Sequence, residues 1–165
     1  MDFNKLIPDF SAFGRTNWGK PSIKTGDKNW LISAILVALM LVFVFLPWCS
    51  VSATSMGITA AGSRLGIGTW YGFIGFITVI IALYGVLYEQ KQFTFCGSVL
   101  AILMGIIGMC VLPKITAVSP FGSVKVDAEW IKDYEATVSH IGAVLFMIAA
   151  ICSAAWSFLQ IKNEK

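Results

Sequence analysis

Few side chains in this 165-residue chain carry groups that do chemistry. The four cysteines, Cys49, Cys96, Cys110 and Cys152, form no C-x-x-C pair, so the dithiol exchange of a disulfide-generating oxidoreductase lacks its reactive unit. Cys49 and Cys110 fall near the same membrane boundary and are a possible disulfide; the plainer alternative is two small apolar packing residues. Cys96 and Cys152 read as packing. His140 is the single histidine, and one imidazole without a Cys/His cluster builds no metal site. It reads as an interfacial, hydrogen-bonded residue, with pH sensing as the sharper alternative. Asp127, Glu129, Asp133 and Glu135 offer carboxylates, with Glu129 and Asp133 at i, i+4, a spacing that suits acid–base work. Lys125 and Lys132 interleave them, so the stretch reads as a solvated face. Gly62-Ser63-Arg64-Leu65-Gly66 lacks the Gly-Lys-Ser/Thr ending of a phosphate loop and reads as a flexible loop bearing one cation. The expectation is no catalytic residue, no cofactor and no metal.

The elements that carry these residues point to a membrane. The chain is 57% hydrophobic and only 13% charged, where a soluble domain is about 25% charged, and its mean hydropathy is +0.78. The net charge of +3 is too diffuse for a nucleic-acid partner. Apolar runs at 30–48, 69–88, 94–112 and 140–161 are each long enough to cross a bilayer. The first holds twelve Leu, Ile, Val or Phe residues, an insertion gain of roughly 4–7 kcal/mol on the translocon scale. No Asp, Glu, Lys or Arg lies within any run, which disfavours a proton- or ion-coupled transporter. The predicted fold is therefore membrane all-α. It comprises a four-transmembrane-helix bundle over 30–161, an N-terminal segment 1–29, a tail 162–165 and outer loops 49–68 and 113–139.

Lys5, Arg15, Lys20, Lys24, Lys28, Lys91, Lys162 and Lys165 lie on one side; Arg64, Lys114, Lys125 and Lys132 lie on the other. The basic side faces the cytoplasm, so both termini are expected inside, in a bacterial plasma membrane by default. Trp30, Trp48, Trp70, Tyr88, Trp130 and Trp156 are the expected interface anchors among the aromatic rings flanking the runs and on the outer loop. Phe3, Leu6, Ile7, Phe10 and Phe13 recur at helical spacing, broken by Pro8, and predict a short element in the inner interface, held further by Trp18.

In the first outer loop Val51, Ala53, Ile58 and Ala60 nearly alternate around Ser55-Met56-Gly57. In the second, Ile115 and Ala117 face Val124 and Val126 across Ser119-Pro120-Phe121-Gly122. The two loops should pair into a small antiparallel extracytoplasmic sheet, since an isolated hairpin is marginal in water. Asp127 is placed to cap a helix over 128–138, with Trp130, Ile131 and Tyr134 on one side.

Small residues trace seams where helix backbones approach closely in lipid. These are Gly75, Thr78, Ala82 and Gly85 in the second run, Gly97, Ala101 and Gly105 in the third, and Gly142, Ala149 and Ser153 in the fourth. Most should hold the four helices together, with one seam left for a partner. With these motifs placed, the layout resembles the claudin-like tetraspan group: four spans, cytoplasmic ends, a long first outer loop and a short inner turn. That group carries Gly-Leu-Trp and two cysteines in its first outer loop; here stand Gly68-Thr69-Trp70, at the loop's end, and Cys49 alone. The resemblance thus implies topology and not a junction-forming or pore-lining role. The text is also similar in composition to small bacterial four-span proteins with a Trp-bounded first helix. The expected function is non-enzymatic: an accessory subunit, assembly factor or immunity-type protein that binds another membrane or extracytoplasmic partner amid membrane lipid. A homo-oligomeric channel or transporter for a neutral or lipid-like solute is the alternative.

Overall fold

The computed structural model describes residues 6–16, 20–55, 58–111, 115–126 and 136–163. A five-residue helix α1 (Ser11–Arg15) precedes α2 (Lys28–Val44), then strands β1 (Pro47–Ser55) and β2 (Ile58–Leu65). A 3₁₀ turn (Gly66–Gly68) leads into α3 (Trp70–Leu87), followed by α4 (Lys91–Cys110). Strands β3 (Ile115–Ser119), β4 (Gly122–Val126) and β5 (Thr137–Ser139) come next, and α5 (Ile141–Asn163) ends the described chain.

Three of these helices, α3, α4 and α5, are long and apolar enough to cross a membrane; α2 is apolar and shorter, at 17 residues. A helix satisfies its own backbone polar groups, which hydrocarbon cannot do. Asp27 starts α2 by accepting from the Asn29 amide at 2.9 Å, and Thr69 starts α3 by accepting from the Gly72 amide at 3.1 Å. Each helix packs on two others, α2 with α3 and α5, α4 with α3 and α5. The run expected at 30–48 ends as helix at Val44, because Pro47 and Trp48 already belong to β1.

Every adjacent helix pair is hydrogen-bonded. The Trp30 indole of α2 donates to Val86 O of α3 at 3.1 Å. Thr94 Oγ1 of α4 donates to Ala82 O of α3 at 3.3 Å. Ser98 of α4 bonds Ser153 of α5 at 2.8 Å, both buried. Gln160 of α5 donates to Ser33 Oγ and Asn29 O of α2, each at 3.2 Å. Such bonds average about 0.6 kcal/mol in a membrane, so together they fix register more than they drive association.

At the sheet end the core closes around Trp48, which is 0% exposed. Its indole N–H donates to Phe43 O at 3.0 Å. Its ring lies 4.9 Å from Phe146 and 6.0 Å, stacked, from Tyr71. Four glycines make room for it: Gly66, Gly75, Gly108 and Gly142, on four different elements, each bring their backbone against the indole. A methyl at Gly108 would sit 2.7 Å from Trp48 Cε3, and one at Gly142 3.0 Å from Cδ1.

The five strands form one sheet in the order β4-β3-β2-β1-β5, so both loops contribute. Expected pairings Ile115↔Val126 and Ala117↔Val124 are present. Cys49, Val51 and Ile115 are buried on one face, with Ala60, Ala136 and Val138 against them. The helix expected over 128–138 is corrected at its end: residues 137–139 are strand β5, paired with β1 from Ser50 to Ser52. That pairing sets Val138, half-buried, against Cys49, Val51 and Ile115 on the apolar face. Residues 127–135, including Asp127, Trp130, Ile131 and Tyr134, lie outside the described residues.

Candidate functional site

The small-residue seams are used inside the chain. Gly75, Thr78, Ala82, Gly85, Gly97, Ala101, Gly105, Gly142, Ala149 and Ser153 are all buried. A methyl built at Gly97 would meet Ala82 N at 2.7 Å and Thr78 O at 2.8 Å across α3. At Gly105 it would meet Met147 Cβ of α5 at 3.0 Å, and at Gly85 it would run into Thr94. The exposed helix faces instead carry large side chains such as Leu39, Ile77, Leu103 and Ile148, the composition that suits lipid.

The anchors divide. Trp70 is 61% exposed beside the sheet, as an interfacial ring requires. Trp30 and Trp156 are half-buried, each donating its indole N–H to a backbone carbonyl, Val86 O and Asn29 O respectively. Tyr88 is half-buried against Tyr84, centroids 4.9 Å apart. Trp48 is the correction: with its N–H satisfied five residues back, nothing polar is left to hold it at a headgroup, and it fills the core.

The cysteine pairing is also corrected. Cys49 and Cys110 are both free thiols, the first buried on the sheet's apolar face, the second exposed at the end of α4. Burial pushes the Cys49 thiol up to about 11, so it stays protonated and unreactive at neutral pH. His140 Nδ1 lies 3.1 Å from Trp48 O and bonds there as an N–H donor. Arg64 lies in strand β2 rather than in a flexible loop, its Nε donating to Gly68 O at 3.1 Å. The carboxylates Asp127, Glu129, Asp133 and Glu135 lie outside the described residues. Among the described residues no three of His, Cys, Asp or Glu converge as a metal site would need.

Two concave surfaces stand out among the described residues. On the sheet, the face opposite Cys49 and Val51 bears a shallow groove of about 360 Å³, with hydroxyls from Ser50, Ser52, Ser63, Thr137 and Ser139. Cross-strand register sets them in rows: Ser63, Ser50 and Ser139 in one, Ala61, Ser52 and Thr137 in the next. Thr54 and Thr59 continue the face with a hydroxyl pair at 2.9 Å. Small side chains keep it flat, and no charged residue lines the groove.

At the opposite end, the four helices and the segment before α2 enclose a polar cavity of about 170 Å³. Residues 20–27 form a strap across the α3–α4 turn. The Ser22 amide donates to Leu87 O at 2.8 Å, the Ser22 hydroxyl donates to Glu89, and Lys24 pairs with Glu89 at 2.9 Å. Farther back, Thr16 bonds Tyr84, and Phe10 sits edge-on to Phe93 at 5.8 Å. Sequence reading expected an interfacial element in this segment and did not anticipate its latch to Glu89, a non-glycine turn residue at φ 59°. The bonds from Ser22, then Lys24, hold the Glu89 carboxyl below its usual range. A depressed carboxylate stabilises the latched form at neutral pH and ceases to as pH falls through the lowered value. Exchange protection of the Ser22 amide, corrected for intrinsic rate, should therefore fall on going from neutral pH to about 3. Glu89→Gln should lose it at neutral pH by up to about fivefold, the limit for an exposed pair.

No protein-family profile matches the chain, and neither a curated protein nor a solved structure matches it.

Proposed function

We propose that the chain is a four-span, non-enzymatic membrane protein that binds the extracytoplasmic part of another membrane protein through the hydroxyl face of its sheet. The observation that carries this reading is the contrast between the two surfaces: the small-residue seams are buried within the chain, while the flat hydroxyl face stands exposed. The fourth span is α2, whose 17 residues reach about 25 Å, at the short end of the spanning range. Its exposed Leu31, Ile35, Leu39 and Val42 suit lipid contact. The excess of Lys and Arg at the strap end supports a reading with both termini in the cytoplasm and the sheet outside, in a bacterial plasma membrane by default. A solute pathway through one copy would have to pass the Trp48, Tyr71 and Phe146 rings, so the channel alternative requires a route between copies.

The test is gentle-detergent purification from native membranes with a photo-crosslinker at position 52 or 63. Expected is one stoichiometric partner, cross-linked from both positions and lost in Ser52→Arg while the monomer stays folded. A partner retained by Ser52→Arg would remove the sheet from the reading. Recovery of the chain alone as an oligomer would move the weight to transport, decided by protein-dependent flux in liposomes.

A further inference from the structure

We infer that the cavity at the strap end binds a small zwitterion that carries a phosphate and a primary ammonium, of the phosphoethanolamine type. At about 170 Å³ it has more than ten times the room one water needs. Its walls are charged in balance: Lys24 and Lys91 supply two cations, Asp27 and Glu89 two carboxylates. A net anion would face the carboxylates and a net cation would face the lysines. A ligand bearing both charges meets partners for each. The polar remainder suits the same ligand: Ser33, Asn29, Thr94 and Gln160 supply neutral donors and acceptors. Lysine ammonium groups take the phosphate, and the carboxylates take the three N–H donors of the ammonium.

Location and strain agree with this assignment. The cavity lies where α2 and α4 begin and α3 and α5 end, which on the four-span reading is the level where headgroups meet the helices. Glu89 adopts φ 59° without being glycine, a conformation that costs energy and recurs at ligand clamps. That backbone carries its carboxylate to the cavity wall and to the strap at once. The strap residue Lys24 is both wall and latch, so a bound zwitterion competes with and then replaces part of the Lys24–Glu89 pair. The inference concerns the opposite end from the sheet and stands or falls apart from any partner there.

The ligand can be a lipid headgroup or the free compound, and the experiment separates them. Full-length protein is delipidated and offered equimolar phosphatidylethanolamine, phosphatidylcholine and phosphatidylglycerol in nanodiscs, with retained lipid read by native mass spectrometry. Free phosphoethanolamine is titrated separately and followed by phosphorus NMR. Expected is at least tenfold preference for the ethanolamine form over choline, which lacks N–H donors, and over glycerol, which lacks the cation. Lys91→Gln and Asp27→Asn should each remove most of that preference, while Lys162→Gln, exposed in the last turn of α5 and outside the cavity wall, should leave it. Binding of the lipid alone assigns the headgroup; binding of the soluble compound with the same sensitivity to Lys91→Gln assigns the free zwitterion. Equal retention of all three lipids together with no binding of free phosphoethanolamine overturns the inference. So does preference unchanged in both cavity variants. If a variant does not fold, competition on the unaltered protein still decides.

Discussion

Trp48→Ala is expected to be the most damaging single truncation in the chain, costing about 3–5 kcal/mol. The indole is fully buried, and its neighbours cannot close the space: Tyr71 is tied to Val111 O through its hydroxyl at 3.2 Å, and Gly66, Gly75, Gly108 and Gly142 have no side chains to move in. The Phe43 carbonyl also loses one of its donors and keeps the Leu46 amide at 3.3 Å. Trp48 further joins the two halves of the fold, since its ring sits among the helices while its carbonyl meets His140 at the start of α5. The check is thermal unfolding in mild detergent, read as loss of the monodisperse peak. Trp48→Phe keeps most of the packing and should fall between the unaltered protein and Trp48→Ala. If Trp48→Ala unfolded within a degree or two of the unaltered protein, the indole would not be the keystone of the sheet end.

The second large effect is expected at Gly97. A methyl there would press on the backbone of α3, at Ala82 N and Thr78 O, which cannot turn aside as a flexible side chain can. Gly97→Ala should cost about 1–3 kcal/mol, despite its gain in helix propensity. Gly97→Leu should prevent the α3–α4 hairpin from closing and abolish accumulation of folded protein. Gly26→Ala is the comparison, because nothing lies within 4 Å of the added methyl; it should match the unaltered protein in the same assay. Equal behaviour of Gly97→Ala and Gly26→Ala would mean that α3 and α4 are farther apart than the structure has them.

The three long apolar helices α3, α4 and α5 were legible because hydrocarbon accepts few backbone solutions, and a charge-free apolar run of the right length leaves little else to be. The hairpin of β3 and β4 was legible in register, from alternation on both sides of a Pro-Phe-Gly turn. Trp48 was misread for a definable reason. Tryptophan at the end of an apolar run signals an interface only if its N–H needs water or a headgroup, and here Phe43 O satisfies it locally. Gly66 and Gly108 were passed over as slots because the sequence does not tell which side chain fills them. β5 was read into a helix because the three residues at 137–139 carry no periodicity of their own; their structure comes from β1, over eighty residues earlier. The hydroxyl face was equally illegible, since its rows exist only once three strands are in register.

The strap and the sheet both join residues far apart in the chain, and that sets an order on biosynthesis. Lys24 leaves the ribosome 65 residues before its partner Glu89, an interval of about 3–13 s at ordinary elongation rates. Through that time the strap has no turn to dock on. At the other end of the helices, one edge of β1 waits for β5, which is made just before α5. A nascent chain thus exposes an unpaired strand edge until residues 137–139 are made, and quality control would meet the β1–β2 hairpin before it meets the finished sheet.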